Sequence, residues 1–378
     1  MSLIEREKLL RLATLTTRLN DFGSEDFLEP LDLLLEGYRT TANLNLKGSL
    51  AAQVYLHRML CNRLRLNDYL NRHSTVSRQP IEKPIFILGL PRTGSTMLHE
   101  ALACHPDLRA PIFWEATFVP GLSVLDRCRQ IITTLQIGAV NLLSPSFKSV
   151  HKLGTFSPHE CITLQALSLR TMQFHAAHNV TDYNVWLETC DWQPAYDMHR
   201  SYLQWLQFNG MGERWVLKAP GHLLSIEALN NTYPDARFIQ LHRDPKEVIP
   251  SMASLFLHLR TPFTKRVDRK EIGEDVTRQW QLALNSTMRQ RHSNKTLNNR
   301  FMDLSYSELI ENPLDNLSKI LNFCGLKNDK SIIDIFREYL ERHPQGKHGT
   351  HQYSLEQFGL SDSTLAHLFA DYNRKYAF

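Results

Sequence analysis

Residues 85–102 read IFILGLPRTGSTMLHEAL. Ile85 to Leu88 make a short apolar strand, GLPRTGST (Gly89 to Thr96) is a glycine-containing turn, and Met97, Leu98, Ala101 and Leu102 recur at helical spacing. Strand, glycine turn and helix, in that order, form a phosphate-binding unit. The turn fits the template G-x-x-x-x-G-K-[ST] at every fixed position but one, where Ser95 replaces the lysine. In nucleoside triphosphatases that lysine reaches the β and γ phosphates and the hydroxyl residue holds magnesium, so a chain without it is poorly equipped for a triphosphate. Gly94 still lets backbone amides approach an anion, and the helix beginning near Ser95 adds its positive end. Arg92 contributes a permanently charged, planar fork of donors suited to a phosphate or sulfonate oxygen pair. The stretch Pro91, Arg92, Thr93, Gly94, Ser95 and Thr96 is therefore expected to cradle one phosphate. The plainer alternative is an ordinary strand-to-helix turn whose hydroxyls cap the helix.

Outward from this unit, residues 1–80 read as a helical N-terminal segment, with Leu9, Leu12 and Leu19 at helical spacing and a Leu- and Arg-rich stretch from Leu50 to Leu70. HSTVSRQPIEKP, His73 to Pro84, is a polar linker with two prolines. Downstream, Trp215–Lys218, Phe238–His242 and Phe301–Ser305 read as further strands. Helices are expected over Leu223–Tyr233, over Pro245–Leu259 with proline in its first turn, and near Ser361–Tyr376. Alternating strands and helices predict an α/β fold, three-layered and P-loop-like, with a mostly parallel central sheet spanning residues 81–378. Residues 115–212 are mostly helical by pattern and read as a helical insertion in this fold, with Phe118, Phe147, Phe156, Phe174, Tyr183, Trp186 and Trp192 available to line a cleft.

Composition narrows the function classes. The chain has 378 residues, 42% hydrophobic and 22% charged, the balance of a globular protein with room for a large core. Forty-three Lys and Arg against 39 Asp and Glu leave a surplus of four, too small to mark a nucleic-acid binder. Six scattered cysteines without a C-x-x-C pair encode neither a zinc ribbon nor a redox dithiol. A cytoplasmic protein with no metal and no membrane span is expected, since no run of 18 apolar residues occurs and MSLIEREKLLRL is not a signal sequence. Oligomeric state is not legible.

With these blocks in view, the chain resembles the sulfotransferase superfamily, in particular its bacterial-type branch. The matching blocks, in order, are LPRTGST (Leu90 to Thr96), HPDLRAPIFWE (His105 to Glu115), WVLKAPGHL (Trp215 to Leu223), FIQLHRDPKEVIPSMAS (Phe238 to Ser254) and HQYSLEQFGL (His351 to Leu360). The resemblance implies metal-independent transfer of sulfonate from 3′-phosphoadenosine 5′-phosphosulfate to a hydroxyl or amine. The acceptor, whether small molecule, lipid or saccharide, is not specified. By resemblance, Arg92 to Thr96 hold the 5′ end of the donor and Arg243 with Ser251 its 3′-phosphate. Tyr306 faces the adenine, and Lys347, His348 and Gly349 in GKHGTH stand where the family closes a loop over the 3′-phosphate, although the R-K-G-x-x-G form of eukaryotic cytosolic members is absent.

Sulfonyl transfer needs in-line geometry, cations around the moving group and a base for the nucleophile. Arg92 and Lys218 are the expected cations, Lys218 because it ends a buried strand where ligands of α/β sheets gather. Three residues compete as base. Glu115 comes first, near where protein-tyrosine sulfotransferases carry a glutamate. His159 in SPHECITL comes second and His222 in KAPGH third. Each has a structural alternative: an ion pair for Glu115, a helix cap for His159, a buried hydrogen-bonded ring for His222. A P-loop kinase or NTPase with a relocated basic residue and a non-catalytic nucleotide-binding module are the rival functions.

Overall fold

The four apolar runs read as strands are strands, each within a residue of its expected bounds. The structure, a computed structural model, describes residues 5–119, 123–143, 153–208, 214–343 and 354–378. β1 (Ile85–Gly89), β2 (Leu108–Arg109), β3 (Arg214–Lys218), β4 (Arg237–His242) and β5 (Phe301–Ser305) form one sheet in the order β2-β3-β1-β4-β5. Every pairing is parallel, with Ile85 beside both Val216 and Arg237. β2 escaped the sequence reading because two residues show no period.

Both faces of the sheet centre are covered, which is why β1, β3 and β4 read as largely apolar runs. Ile85, Ile87, Val216, Ile239 and Leu241 pack with Leu98, Leu102, Leu317 and Phe336 on one side. Phe86, Leu88, Trp215, Leu217 and Phe238 face a larger core on the other. That core also takes in the N-terminal helices α1 (Arg6–Thr17), α2 (Leu28–Thr40) and α3 (Leu46–Arg72) through Leu9, Leu34 and Leu56. Behind β1 follows α4 (Ser95–Leu102), and behind β2 follow α5 (Phe113–Thr117) and α6 (Ser123–Leu143).

Three expectations change in detail. Phe174, Tyr183 and Trp192 are buried in the core rather than presented to a cleft, whereas Phe156 is exposed; Phe147 lies outside the described residues. The helix expected over Leu223–Tyr233 begins as a tight 3₁₀ turn, Pro220–Leu224, and only then becomes the helix Ile226–Thr232. The last helix breaks into Asp362–Leu368 and Ala370–Tyr376.

The helix Ala370–Tyr376 is pinned to the sheet by a polar network that joins the buried Arg291, Gln240 and His242 to the partly exposed Asp303. Arg291 donates to both carboxylate oxygens of Asp303 at 2.7 Å and to Gln240 Oε1 at 2.8 Å. His242 bridges Asp303 and the Tyr372 hydroxyl, at 2.8 and 2.9 Å. Burial alone would raise the Asp303 carboxyl, but the bonds from Arg291 and His242 overrule it and hold the group well below the usual carboxylate range.

Candidate active site

The loop after β1 owes its course to three left-handed residues. Gly89 has φ +130°, and a Cβ there would stand 2.3 Å from the Leu241 carbonyl oxygen, so glycine alone lets β1 and β4 keep register to their ends. Arg92 and Gly94 follow at φ +64° and +79°. The Thr93 hydroxyl, buried, donates to Leu90 O at 2.7 Å and closes the turn. The chain then enters α4 at Ser95, whose first-turn amides have no carbonyl partner within the helix. Ser95 is buried, while Pro91 is half-buried and Arg92 and Thr96 are exposed at the mouth of the loop.

Lys218, the last residue of β3, brings its ammonium to this mouth. Nζ donates to Thr96 Oγ1 at 3.2 Å and to Glu160 Oε1 at 2.5 Å, with the lysine side chain 4% and the glutamate 18% exposed. The position of Glu160 follows from backbone stitching. Pro158 bridges Ile112, His159 N donates to Pro111 O at 2.8 Å, and Cys161 N donates to the carbonyl of Lys218 itself at 2.9 Å. The segment 158–161 is thus clamped between the chain leaving β2 and the end of β3. His159 lies in the same segment, its Nε2 2.8 Å from Thr163 Oγ1 and its ring edge-on to Phe113.

On the other side of β1, Arg243 leaves β4 and reaches back to the loop. Its Nη1 donates to the Arg92 carbonyl at 2.7 Å, its Nε donates to Glu247 Oε2 at 2.7 Å, and its guanidinium lies 4.2 Å from the centroid of the Tyr306 ring. The same ring edge approaches Gly94, where a Cβ would sit 3.4 Å from it. Arg243, Tyr306 and the loop therefore form one assembly, and the ion pair with Glu247 coexists with it. Ser251 is buried one turn beyond Glu247 in the helix Pro245–Arg260. Lys347, His348 and Gly349 lie outside the described residues.

Two of the three expected bases stand elsewhere. Glu115 is turned toward Arg109, 3.2 Å away, and accepts the Ile112 amide at 3.3 Å, closing the first turn of α5. Burial raises its carboxyl above the ordinary value despite the Arg109 charge. His222 is carried by the 3₁₀ turn into the core, fully buried, with Nδ1 2.6 Å from the Tyr196 hydroxyl and its ring against Phe86. Burial depresses it well below the usual histidine value, so it is a neutral core ring rather than a group at the mouth. Glu160 was not singled out from the sequence; its only signal was adjacency to His159, since nothing in spacing ties residue 160 to residue 218.

The chain is similar to known proteins over most of its length. The profile of the sulfotransferase family matches residues 84–330. The crystal structure of sulfotransferase STF1 from Mycobacterium tuberculosis H37Rv superposes with a TM-score of 0.85 at 29% identity, covering 98% of this chain and 99% of that one. Sulfotransferase STF9 from Mycobacterium avium superposes at 0.86 with 24% identity, over 98% and 96% of the two chains. The omega-hydroxy-beta-dihydromenaquinone-9 sulfotransferase Stf3 of Mycobacterium tuberculosis is 24% identical over 301 residues, 74% of this chain and 72% of its own.

Proposed function

This chain belongs to the sulfotransferase family, and we propose that it moves the sulfonate of 3′-phosphoadenosine 5′-phosphosulfate onto the hydroxyl of a lipid-like acceptor. The observation that carries the reading is the place of Lys218 Nζ between Thr96 Oγ1 and Glu160. In the triphosphatase template the corresponding hydroxyl holds magnesium; here a side-chain cation stands beside it, which supports a donor with a single 5′-phosphate and a charge clamp made of protein.

In this reading the amides of Arg92 to Thr96 and the positive end of α4 hold the 5′-phosphate. Arg243, with Ser251 and the segment of Lys347, His348 and Gly349, receives the 3′-phosphate, and Tyr306 shapes the wall beside the base. The acceptor oxygen attacks sulfur in line as the bond from sulfur to the phosphate oxygen breaks, and 3′,5′-adenosine bisphosphate leaves. Lys218 and Arg92 stabilise the negative charge growing on the departing oxygen. The acceptor proton passes to Glu160, which takes precedence over Glu115 because its carboxylate lies against Lys218 at the loop mouth, whereas that of Glu115 is committed to Arg109. His159, one residue away, is the alternative base and is held by Thr163 and Phe113. A hydroxylated lipid is favoured as acceptor by the likeness to the dihydromenaquinone sulfotransferase. A cytoplasmic setting belongs to the same reading and is supported by six cysteines that are all unpaired.

Thermal denaturation with nucleotides tests the donor. The expected result is stabilisation by 3′,5′-adenosine bisphosphate with EDTA present. Stabilisation only by ATP with magnesium would support a kinase or NTPase instead, and no response to either would support a non-catalytic module.

A further inference from the structure

The side of the molecule next to the active-site segment is apolar where it should be wet. Ile131, Leu135 and Leu142 recur on α6 at intervals of four and seven residues, Leu50 and Val54 lie one turn apart on α3, and Leu15 stands on α1; all six are 57–81% exposed. Between Leu135 and Leu142, Gly138 has open space where a side chain would be. Isolated exposed leucines are ordinary, but a stripe that continues across three helices is not.

The three helices share this face because cross-links align them. Thr16 Oγ1 of α1 lies 3.0 Å from His57 Nε2 of α3, and Arg58 Nη1 of α3 donates to Gln136 Oε1 of α6 at 3.2 Å. Asn62 holds the chain just before α6 through the Thr117 carbonyl and the Val119 amide, so α6 starts beside α3 and is tied to it again at Gln136. The helices carry ten Lys and Arg against three Asp and Glu, of which Arg63 is buried and Arg6, Lys8, Arg72 and Arg129 are paired with carboxylates. Arg11, Lys47 and Arg127 among them are exposed. An apolar face with an exposed basic rim has the composition of a surface that lies on anionic headgroups. Among the described residues no helix is long and apolar enough to cross a membrane, so any such contact is interfacial.

The face also leads to the site. Thr134 Oγ1 of α6 is 2.8 Å from Thr155 Oγ1, and the next residue, Phe156, is 62% exposed, four positions before Glu160. We propose that α1, α3 and α6 dock the protein on an anionic lipid bilayer and that a hydroxylated lipid acceptor passes from the bilayer along Phe156 to Glu160 and Lys218. The second part rests on the sulfonate-transfer reading; the docking does not.

The test is co-sedimentation of the full chain with vesicles of phosphatidylcholine and phosphatidylglycerol, against vesicles of phosphatidylcholine alone. The wild-type chain is expected to sediment with the anionic vesicles. The Ile131→Glu/Leu135→Glu variant is expected to partition at least about tenfold more weakly, and a Leu282→Glu control on the helix Arg269–Ser293 unchanged. Circular dichroism and retained stabilisation by 3′,5′-adenosine bisphosphate show that the double variant is folded. Absent sedimentation of the wild type, or equal sedimentation of the double variant, overturns the proposal. So does a dimer in sedimentation equilibrium that the double variant dissociates without any vesicle binding, since the face then belongs to a second copy. Loss of bisphosphate binding by the wild type with vesicle binding intact would instead overturn the donor reading alone.

Discussion

Lys218 and Glu160, 58 residues apart in the chain, meet at 2.5 Å beside the hydroxyl of Thr96. Glu160→Gln is expected to lower kcat by about a hundredfold to ten-thousandfold while stabilisation by 3′,5′-adenosine bisphosphate persists. Glu115→Gln should leave kcat within a few-fold and lower the melting temperature, because it weakens the Arg109 pair and the first turn of α5. The reverse pattern would return the base to Glu115.

Lys218→Ala should lower kcat by about a hundredfold or more, as expected when a cation facing developing charge is lost. It also leaves Glu160 without its buried partner. Part of any fall in stability therefore reflects that carboxylate. A Lys218→Ala variant with wild-type turnover on a true acceptor would remove this lysine from the chemistry.

Arg243 joins the loop after β1 to Tyr306, through the Arg92 carbonyl and the face of the tyrosine ring. Arg243→Ala is expected to weaken 3′,5′-adenosine bisphosphate by about tenfold or more, measured by titration calorimetry. Adenosine 5′-phosphate, lacking the second phosphate, should lose much less affinity in the same variant. Equal losses for the two ligands would argue for a role in shaping the loop alone.

The scaffold was more legible than the chemistry. β1, β3 and β4 were readable because strands buried on both faces leave largely apolar runs, whereas the edge strand β5 (FMDLS) carries the exposed Asp303 and was marked only by Phe301, Met302 and Leu304. The loop was readable because Gly89 and Gly94 occupy backbone shapes that few other residues take. Glu160 was not, since its role depends on main-chain bonds from Pro158 to Cys161 that join distant segments. The buried place of His222, four residues past the end of β3, was legible only as one of two alternatives, because the tight turn Pro220–Leu224 that folds it inward leaves no periodic signal.

Gly89→Ala is expected to destabilise the protein by about 3 kcal/mol or more, from the left-handed backbone and the clash with the Leu241 carbonyl together. Denaturant titration checks it. A loss below about 1 kcal/mol would mean that β1 and β4 separate easily at their ends.

Acid should weaken the fold through its buried histidines. Burial depresses His99 and His199 to about 3 and His178 to about 4, with the Lys218 charge adding to the effect at His99 and the Arg260 charge at His178. In the unfolded chain these rings protonate near pH 6.5. The unfolded state then binds more protons below that pH, so their contribution is complete above about pH 7 and is lost as pH falls toward 4, by up to about 1.4 kcal/mol per pH unit for each ring. Denaturation between pH 8 and 5 should show a plateau and then a decline, and His199→Gln should make the decline shallower. A flat profile through pH 5 would contradict the burial of neutral rings.

Arg92 adopts a φ of +64°, a shape glycine takes freely and arginine only at about 1 kcal/mol. Arg92→Gly would relieve the backbone and discard the guanidinium in one change, giving a hardier molecule that turns over poorly. If Arg92 serves sulfonate transfer as proposed, durability and turnover are set against each other at this one residue, and a library screened for heat resistance alone would drift there toward inert protein.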